Sequence, residues 1–191
     1  MVVSKQHQIF FDFLRFSIGS KSEIPSSLKE ADWKEQYAIA KKQCLVGVLF
    51  DGIKKLPAEH VGMEKELLLH WMAESQMLEK ANVRLNDAAI QVSEWFRKKG
   101  FRTCILKGQG NALMYPNPYS RTPGDIDIWV EGDGTTSRSF PLSALSRLMK
   151  RRAITTSSSH RIRVWRWKCI VGLASCCASG ITESFRNTMI G

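Results

Sequence analysis

The strongest constraint on this chain is a change of hydrophobic period at Gly100. Before it, from about Met63 to Lys99, apolar residues recur every three or four positions: Leu67, Leu68, Trp71, Met72, Met77, Leu78, Ala81, Leu85, Ala88, Ala89, Val92 and Phe96. Charged residues fill the opposite face. That spacing predicts one long amphipathic helix with a packed core face. After Gly100 the period shortens. Phe101 to Leu106 is a short apolar run that suits a buried strand. Further on, Ile126, Ile128 and Val130 alternate with Asp125, Asp127 and Trp129, then Glu131, which predicts a second strand. Between them, Lys107-Gly108-Gln109-Gly110 reads as a turn. Asn111 to Tyr115 reads as one or two helical turns stopped by Pro116 and Pro118. A helical region that gives way to strands is an α+β arrangement.

The segment before the long helix is also helical in pattern. Ile9, Phe10, Phe13, Leu14 and Phe16 fall at near-helical spacing, closed by Gly19. Pro25 and Ser26-Ser27 mark a break. Asp32 is placed to cap a second helix with Tyr37, Ala40, Leu45 and Val48 on one face. Gly52 and Pro57 bracket the next connection. The organisation is therefore a helical region at 1–99, a strand-bearing core at 100–134, and a remainder at 135–191.

Charge separates that remainder from the rest. The chain of 191 residues has a net charge of +10. Residues 1–134 hold 18 Lys+Arg against 17 Asp+Glu, whereas residues 135–191 hold 10 against one acid, Glu183. The basic excess belongs to the tail and makes no nucleic-acid argument for the main domain. Five cysteines, Cys44, Cys104, Cys169, Cys176 and Cys177, show neither a disulfide framework nor a zinc pair and read as reduced thiols. The polar start and the apolar run broken by Asp12 and Arg15 argue against a secretory leader or membrane span. The expectation is a cytoplasmic protein with no membrane partner.

The chemistry concentrates at Gly124-Asp125-Ile126-Asp127. Residues two apart on a strand share a face, so Asp125 and Asp127 project together. Two adjacent carboxylates repel unless a cation lies between them. A hard divalent ion shared with substrate phosphates fills that role well. An Asp-x-Asp on a strand is by itself a weak signal, because a solvated face can carry it. The context strengthens it. Lys107-Gly108 follows a strand and precedes a helix, a place where backbone N–H groups meet phosphate and Lys107 adds a point charge. Arg121 and Gly124 lead straight into the acids.

Leu106-Lys107-Gly108, Ala112, Tyr115-Pro116-x-Pro118 and Arg121-x-x-Gly124-Asp125-Ile126-Asp127 together resemble the bacterial uncharacterised nucleotidyltransferase family of the DNA polymerase β-like superfamily. The dense part of the match spans about 30 residues. The resemblance implies a partial nucleotidyltransferase mixed sheet after the helical region. It implies catalytic and metal-holding roles for Asp125 and Asp127, with Mg2+ or Mn2+ as the ion. Phosphate contacts are implied around Gly108 and Lys107, beside Arg121 and Gly124. The reaction implied is transfer of a nucleoside monophosphate from an NTP to an unnamed acceptor. The chain departs from the superfamily pattern at two points: the turn reads Lys-Gly where many members have Gly-Ser, and the third acid is not evident. Glu131, Asp133 and Glu183 are its candidates, and none lies in a convincing context.

The tail suggests where that acid went. With codons chosen freely, Val164 to Ile190 read from the third base permits a string that opens V-E-M-E-V-H, and Ser157 to Ile162 in the other shifted frame permits H-H-R-I-E-F. Both are similar to later strands of the family. Residues 135–191 therefore read as an out-of-frame, irregular tail, and the chain as an impaired or inactive enzyme. Two other readings stand beside this one. One is a catalytically dead nucleotide- or metal-binding module. The other is a nucleic-acid binder acting through Arg147, Lys150, Arg151, Arg152, Arg161, Arg163, Arg166 and Lys168, with the Trp165 and Trp167 rings of the tail stacking on bases.

Overall fold

The computed structural model describes residues 4–57 and 62–131, and the backbone of residues 162–165. In chain order the elements are α1 (Lys5–Ser17), a 3-10 turn (Ser26–Glu30), α2 (Trp33–Lys42), α3 (Val46–Lys55), α4 (Lys65–Arg97), β1 (Thr103–Leu106), α5 (Lys107–Ala112), β2 (Ile126–Val130) and β3 (Ile162–Trp165). The fold is α+β and mostly helical, as the change of period at Gly100 implies. Two compact units are present. One comprises residues up to Val83 together with Ala112–Pro123, and the other runs over Arg84–Asn111 and from Gly124 onward. The helix α4 contributes to both.

In the first unit, local signals in the sequence account for most helix ends. Ser4 caps α1 by accepting from the His7 N–H. Asp32 accepts from the backbone N–H groups of Lys34 and Glu35, at 3.0 and 3.2 Å, and so starts α2 as expected. The expected single second helix, however, is two. Cys44 takes a φ of +58°, and the N–H groups of Cys44 and Leu45 turn back to Lys41 and Ala40. That is a Schellman ending with cysteine in the position usually left to glycine. Leu45 and Val48 therefore do not continue the face of Tyr37 and Ala40. Gly52 is a second correction. It lies inside α3, where a Cβ would sit 2.0 Å from Ser17 Oγ and 3.0 Å from Phe13, so it marks a close helix crossing and not a connection.

The core of this unit gathers Phe10, Phe13, Trp33, Leu49, Ile53 and Trp71. The Trp71 ring is fully buried and its indole N–H donates to the Val46 carbonyl at 2.9 Å. Met72 and Met77, expected on the core face of α4, are instead exposed. The segment from Ala112 to Pro123 is fastened to these helices. Asn82 donates to the carbonyls of Tyr119 at 2.8 Å and Arg121 at 2.6 Å. Asp51 accepts from Asn117 at 3.1 Å and from the Ser120 hydroxyl. Thr122 donates to the Cys44 carbonyl at 2.8 Å.

The second unit is a small sheet with the C-terminal part of α4. Its order is β1-β2-β3. The β1–β2 pair is antiparallel, with Thr103 opposite Val130 and Leu106 opposite Asp127. Ile105, Ile126, Ile128 and Val130 pack with Leu85, Ala88, Ala89, Val92 and Phe96. Gly100 ends α4 as expected, at a φ of +82° with the Phe101 N–H reaching back to the Phe96 carbonyl. The expectations for 135–191 fall outside the described residues, except that the backbone of Ile162–Trp165 forms β3, parallel to β2. Among the described residues no helix is long and apolar enough to cross a membrane.

Gly47 gives a test of how the Ala112–Pro123 segment is seated. A Cβ there would lie 2.2 Å from the Ser120 carbonyl oxygen, a backbone atom that cannot swing aside. Gly47→Ala should cost about 1–3 kcal/mol, the usual range for overpacking. A thermal melt of the variant beside the parent chain measures it, and equal midpoints would contradict the packing described.

Candidate functional site

The site is built where β1 passes into α5 beside the start of β2. Four apolar residues make β1, and the chain then enters α5 with no intervening loop. Lys107 is the first residue of α5 and takes a φ of +51°, in the left-handed region. The Lys107-Gly108-Gln109-Gly110 stretch is thus the helix itself and not the expected turn, and the reversal is compressed into one residue. Two glycines in a short helix cost about 0.5–1 kcal/mol each in conformational freedom. Gly110 has a reason to be there: a Cβ would come within 2.7 Å of the Ile105 carbonyl oxygen, so α5 lies tight against the strand it follows. Gln109 is buried, and its amide donates to the Asn86 side-chain oxygen on α4.

The antiparallel register sets the electrostatics. Asp127 stands opposite Leu106, the residue before Lys107. The Lys107 ammonium consequently lies 3.8 Å from a carboxylate oxygen of Asp127. Asp127 is buried to 9% exposure, whereas the lysine side chain is 65% exposed. The pair therefore joins a buried acid to a cation exposed to solvent. Asp125 is partly buried and directly precedes β2, one residue short of the strand predicted for it. Gly124 precedes it in the same unit.

Arg121 belongs to the first unit. Its carbonyl is held by Asn82, and burial pushes its guanidinium down from the ordinary range, with Tyr115 acting in the opposite sense. Glu131, a candidate third acid, sits beyond the far end of β2. Its side chain is 3.6 Å from Arg102. Four residues of strand separate it from Asp127, roughly 13 Å at strand rise. Asp133 and Glu183 lie outside the described residues. Among the described residues no three His, Cys, Asp or Glu side chains gather as a metal-binding group. What is present is a pair of hard oxygen donors, Asp125 and Asp127. That set fits a divalent ion of the Mg2+ type, which is commonly held by one or two carboxylates and completed by water and substrate phosphates.

A family model described as an uncharacterised nucleotidyltransferase matches residues 29–138, more than half of the chain. The chain belongs to this family. The matched span takes in the helices from the 3-10 turn onward as well as β1, α5 and β2, so the nucleotidyltransferase family is defined here by both units and not by the acidic strand alone. No curated protein and no solved structure matches the chain.

Two residues that contribute to the nucleotidyltransferase core escaped the sequence patterns. Asn82 and Asn86 are buried on α4, with Ser75 and Ser93 a further turn or two away. Their signal was present: polar residues at 75, 82, 86 and 93 recur on the apolar face of a helix, and Asn82 and Asn86 each find a partner there.

Lys107 gives the prediction for this site. A side chain in the left-handed region costs about 1–2 kcal/mol, and strain of this kind is found at functional positions. Lys107→Gly and Lys107→Ala both remove the ammonium, but only glycine relieves the backbone. The glycine variant should be more stable than the alanine variant by about 0.5–1 kcal/mol after its larger chain entropy is counted. Chemical denaturation of the two variants measures the difference, and the reverse order would refute the strain.

Proposed function

We propose that this chain binds an NTP with a divalent cation at the β1–α5 junction and the head of β2. Its family chemistry is transfer of a nucleoside monophosphate to an acceptor, and this chain performs it weakly or not at all. The observation that carries the reading is the Lys107–Asp127 contact of 3.8 Å, made by a strained lysine against a buried acid. A lysine held in an unfavourable backbone conformation beside a carboxylate pair is suited to a polyphosphate that bridges both.

In this reading Asp125 and Asp127 hold Mg2+ or Mn2+, which when bound supplies Lewis-acid charge on the triphosphate. Lys107 turns its ammonium from Asp127 toward phosphate oxygens as a mobile point charge. Gly108 brings the first turn of α5 close to the same oxygens, where its backbone N–H groups lack helical partners. Gly124 is the flexible approach to the acids, and a phosphate role for Arg121, which belongs to the first unit, rests on the family resemblance alone. Transfer also needs a base to take the acceptor's proton. A third acid would serve, and among the described residues no three such side chains gather. Binding without efficient turnover follows.

The same reasoning supports an out-of-frame origin for residues past about 135. The family match stops at 138, close to where acids vanish from the composition. The coding DNA tests this directly, since stop codons in the two shifted frames would exclude it.

The binding reading is tested by titrating the full chain with each of the four NTPs in the presence of Mg2+. Asp127→Asn should weaken metal-dependent binding by at least about tenfold, the loss already common when a metal's outer partners are removed. A radiolabelled transfer assay should show little or no turnover. Turnover that disappears in Asp127→Ala would refute the impaired state while upholding the site. Nucleic-acid binding that is steeply salt-dependent, survives Asp125→Ala and is lost with residues 135–191 would transfer the function to the tail.

A further inference from the structure

Polar side chains are costly on the inner face of a helix, so each one there needs an account. Asn86 on α4 is 2% exposed and Gln109 on α5 is 1% exposed. The Gln109 amide donates to the Asn86 side-chain oxygen. Next along α5, Gly110 lies so close to β1 that a Cβ would meet the Ile105 carbonyl at 2.7 Å. The short helix is therefore held at two consecutive residues. The strand backbone limits its depth, and the α4 amide limits its rotation. A leucine pair in place of the two amides would fill the same space without fixing a direction. The directional bond matters because α5 begins at Lys107, whose ammonium must be aimed with respect to Asp127.

We propose that Asn86, acting through Gln109, is a positioning residue that aims Lys107 at the triphosphate of the nucleotide. This rests on the reading that Lys107 and Asp127 hold a metal-bound NTP. Asn86 is two elements away from the reacting groups in the chain of contacts: it orients Gln109, Gln109 orients α5, and α5 presents Lys107. Removal of the Asn86 oxygen leaves a buried amide donor on Gln109 without that acceptor. The bond that fixed the direction of α5 against α4 is then gone, and any rotation of α5 carries Lys107 with it.

The test uses the full chain and Mn2+ with inorganic tripolyphosphate, a probe of the metal and phosphate subsites that does not depend on the base. Lys107→Ala should weaken binding about tenfold, and Asn86→Leu should weaken it to a similar extent. The double variant should bind no worse than either single variant, because both changes remove one and the same contact. Asn86→Asp, which keeps an acceptor oxygen in place, should stay within about threefold of the parent. Amide hydrogen exchange over residues 107–112 should rise in Asn86→Leu and stay near the parent value in Asn86→Asp.

Independent, multiplicative losses in the double variant would overturn the positioning role, as would parent-like binding by Asn86→Leu. If Asn86→Leu does not fold, Asn86→Ser takes its place in the cycle with the same expectations. A parent chain that binds no Mn2+-tripolyphosphate refutes the nucleotide reading itself. The exchange measurement then decides separately whether Asn86 orients α5: unchanged protection of 107–112 in Asn86→Leu overturns that, and lost protection upholds the orientation of α5 without a triphosphate as its target.

Discussion

Everything at the site depends on the register of one short antiparallel pair. With Leu106 opposite Asp127, the residue that follows β1 arrives beside the acid that opens β2. A slip of one residue would turn Ile126 and Ile128 out of the core and move Asp127 to the other face of the sheet. The register is held by burial: Ile105, Ile126, Ile128 and Val130 all lie against α4. At an approximate 1.5–3 kcal/mol for each large aliphatic side chain buried, that set outweighs any local preference of the polar residues between them. The Lys107–Asp127 contact is a consequence of the packing and contributes little to it. An ion pair with a side chain as exposed as this lysine adds about 0–1 kcal/mol.

The long helix α4 serves two units by different chemistry along its length. Its first part contributes Trp71, whose indole is buried against α3 and satisfied by the Val46 carbonyl. Asn82 follows and binds carbonyls of the segment that leads toward the acids. Within the second unit, Asn86 and the apolar residues from Leu85 to Phe96 receive α5 and the sheet. Hydrophobic burial supplies most of the free energy in each unit. The amides supply direction, because an unmatched buried amide is penalised by about 1–3 kcal/mol and a hydrocarbon contact is tolerant of rotation.

How much of this was legible in the sequence depended on whether the deciding physics was local. Asp32 and Gly100 announced helix ends because capping and left-handed glycine are properties of the nearby chain. β1 and β2 followed from period alone, and the acids from their alternation at 125 and 127, whereas β3 fell in a tail read as irregular. Cys44 was not legible as a helix end, since cysteine has no special ease at a φ of +58° and only the surrounding packing holds it there. The helix at Lys107 was missed for the opposite reason. Two glycines in four residues read as a turn, and the need for Gly110 arises from its close approach to Ile105, a contact absent from any local pattern. Met72 and Met77 had helical spacing but not burial, because period alone does not say which part of a long apolar stripe finds a cover. The spacing of Asn86 put it on the apolar face of α4, but its partner Gln109 is set by tertiary packing and was not legible.

The sheet also bears on what the tail does to the site. β3 lies beside β2 on the side away from β1, and its backbone register sets Arg163 opposite Asp127. A third acid for the Asp125–Asp127 pair has to come from a neighbouring strand, because β2 itself offers its next acid only at Glu131, which is engaged near Arg102 at the strand's far end. The strand beside β2, Ile162–Trp165, has no acid in its sequence. In the proposed reading, the residues assigned to phosphate on α5 and to the metal ion beside β2 are therefore present, and β3 supplies no carboxylate to join them. That links the acid-poor composition beyond residue 135 to the weak turnover proposed for this chain.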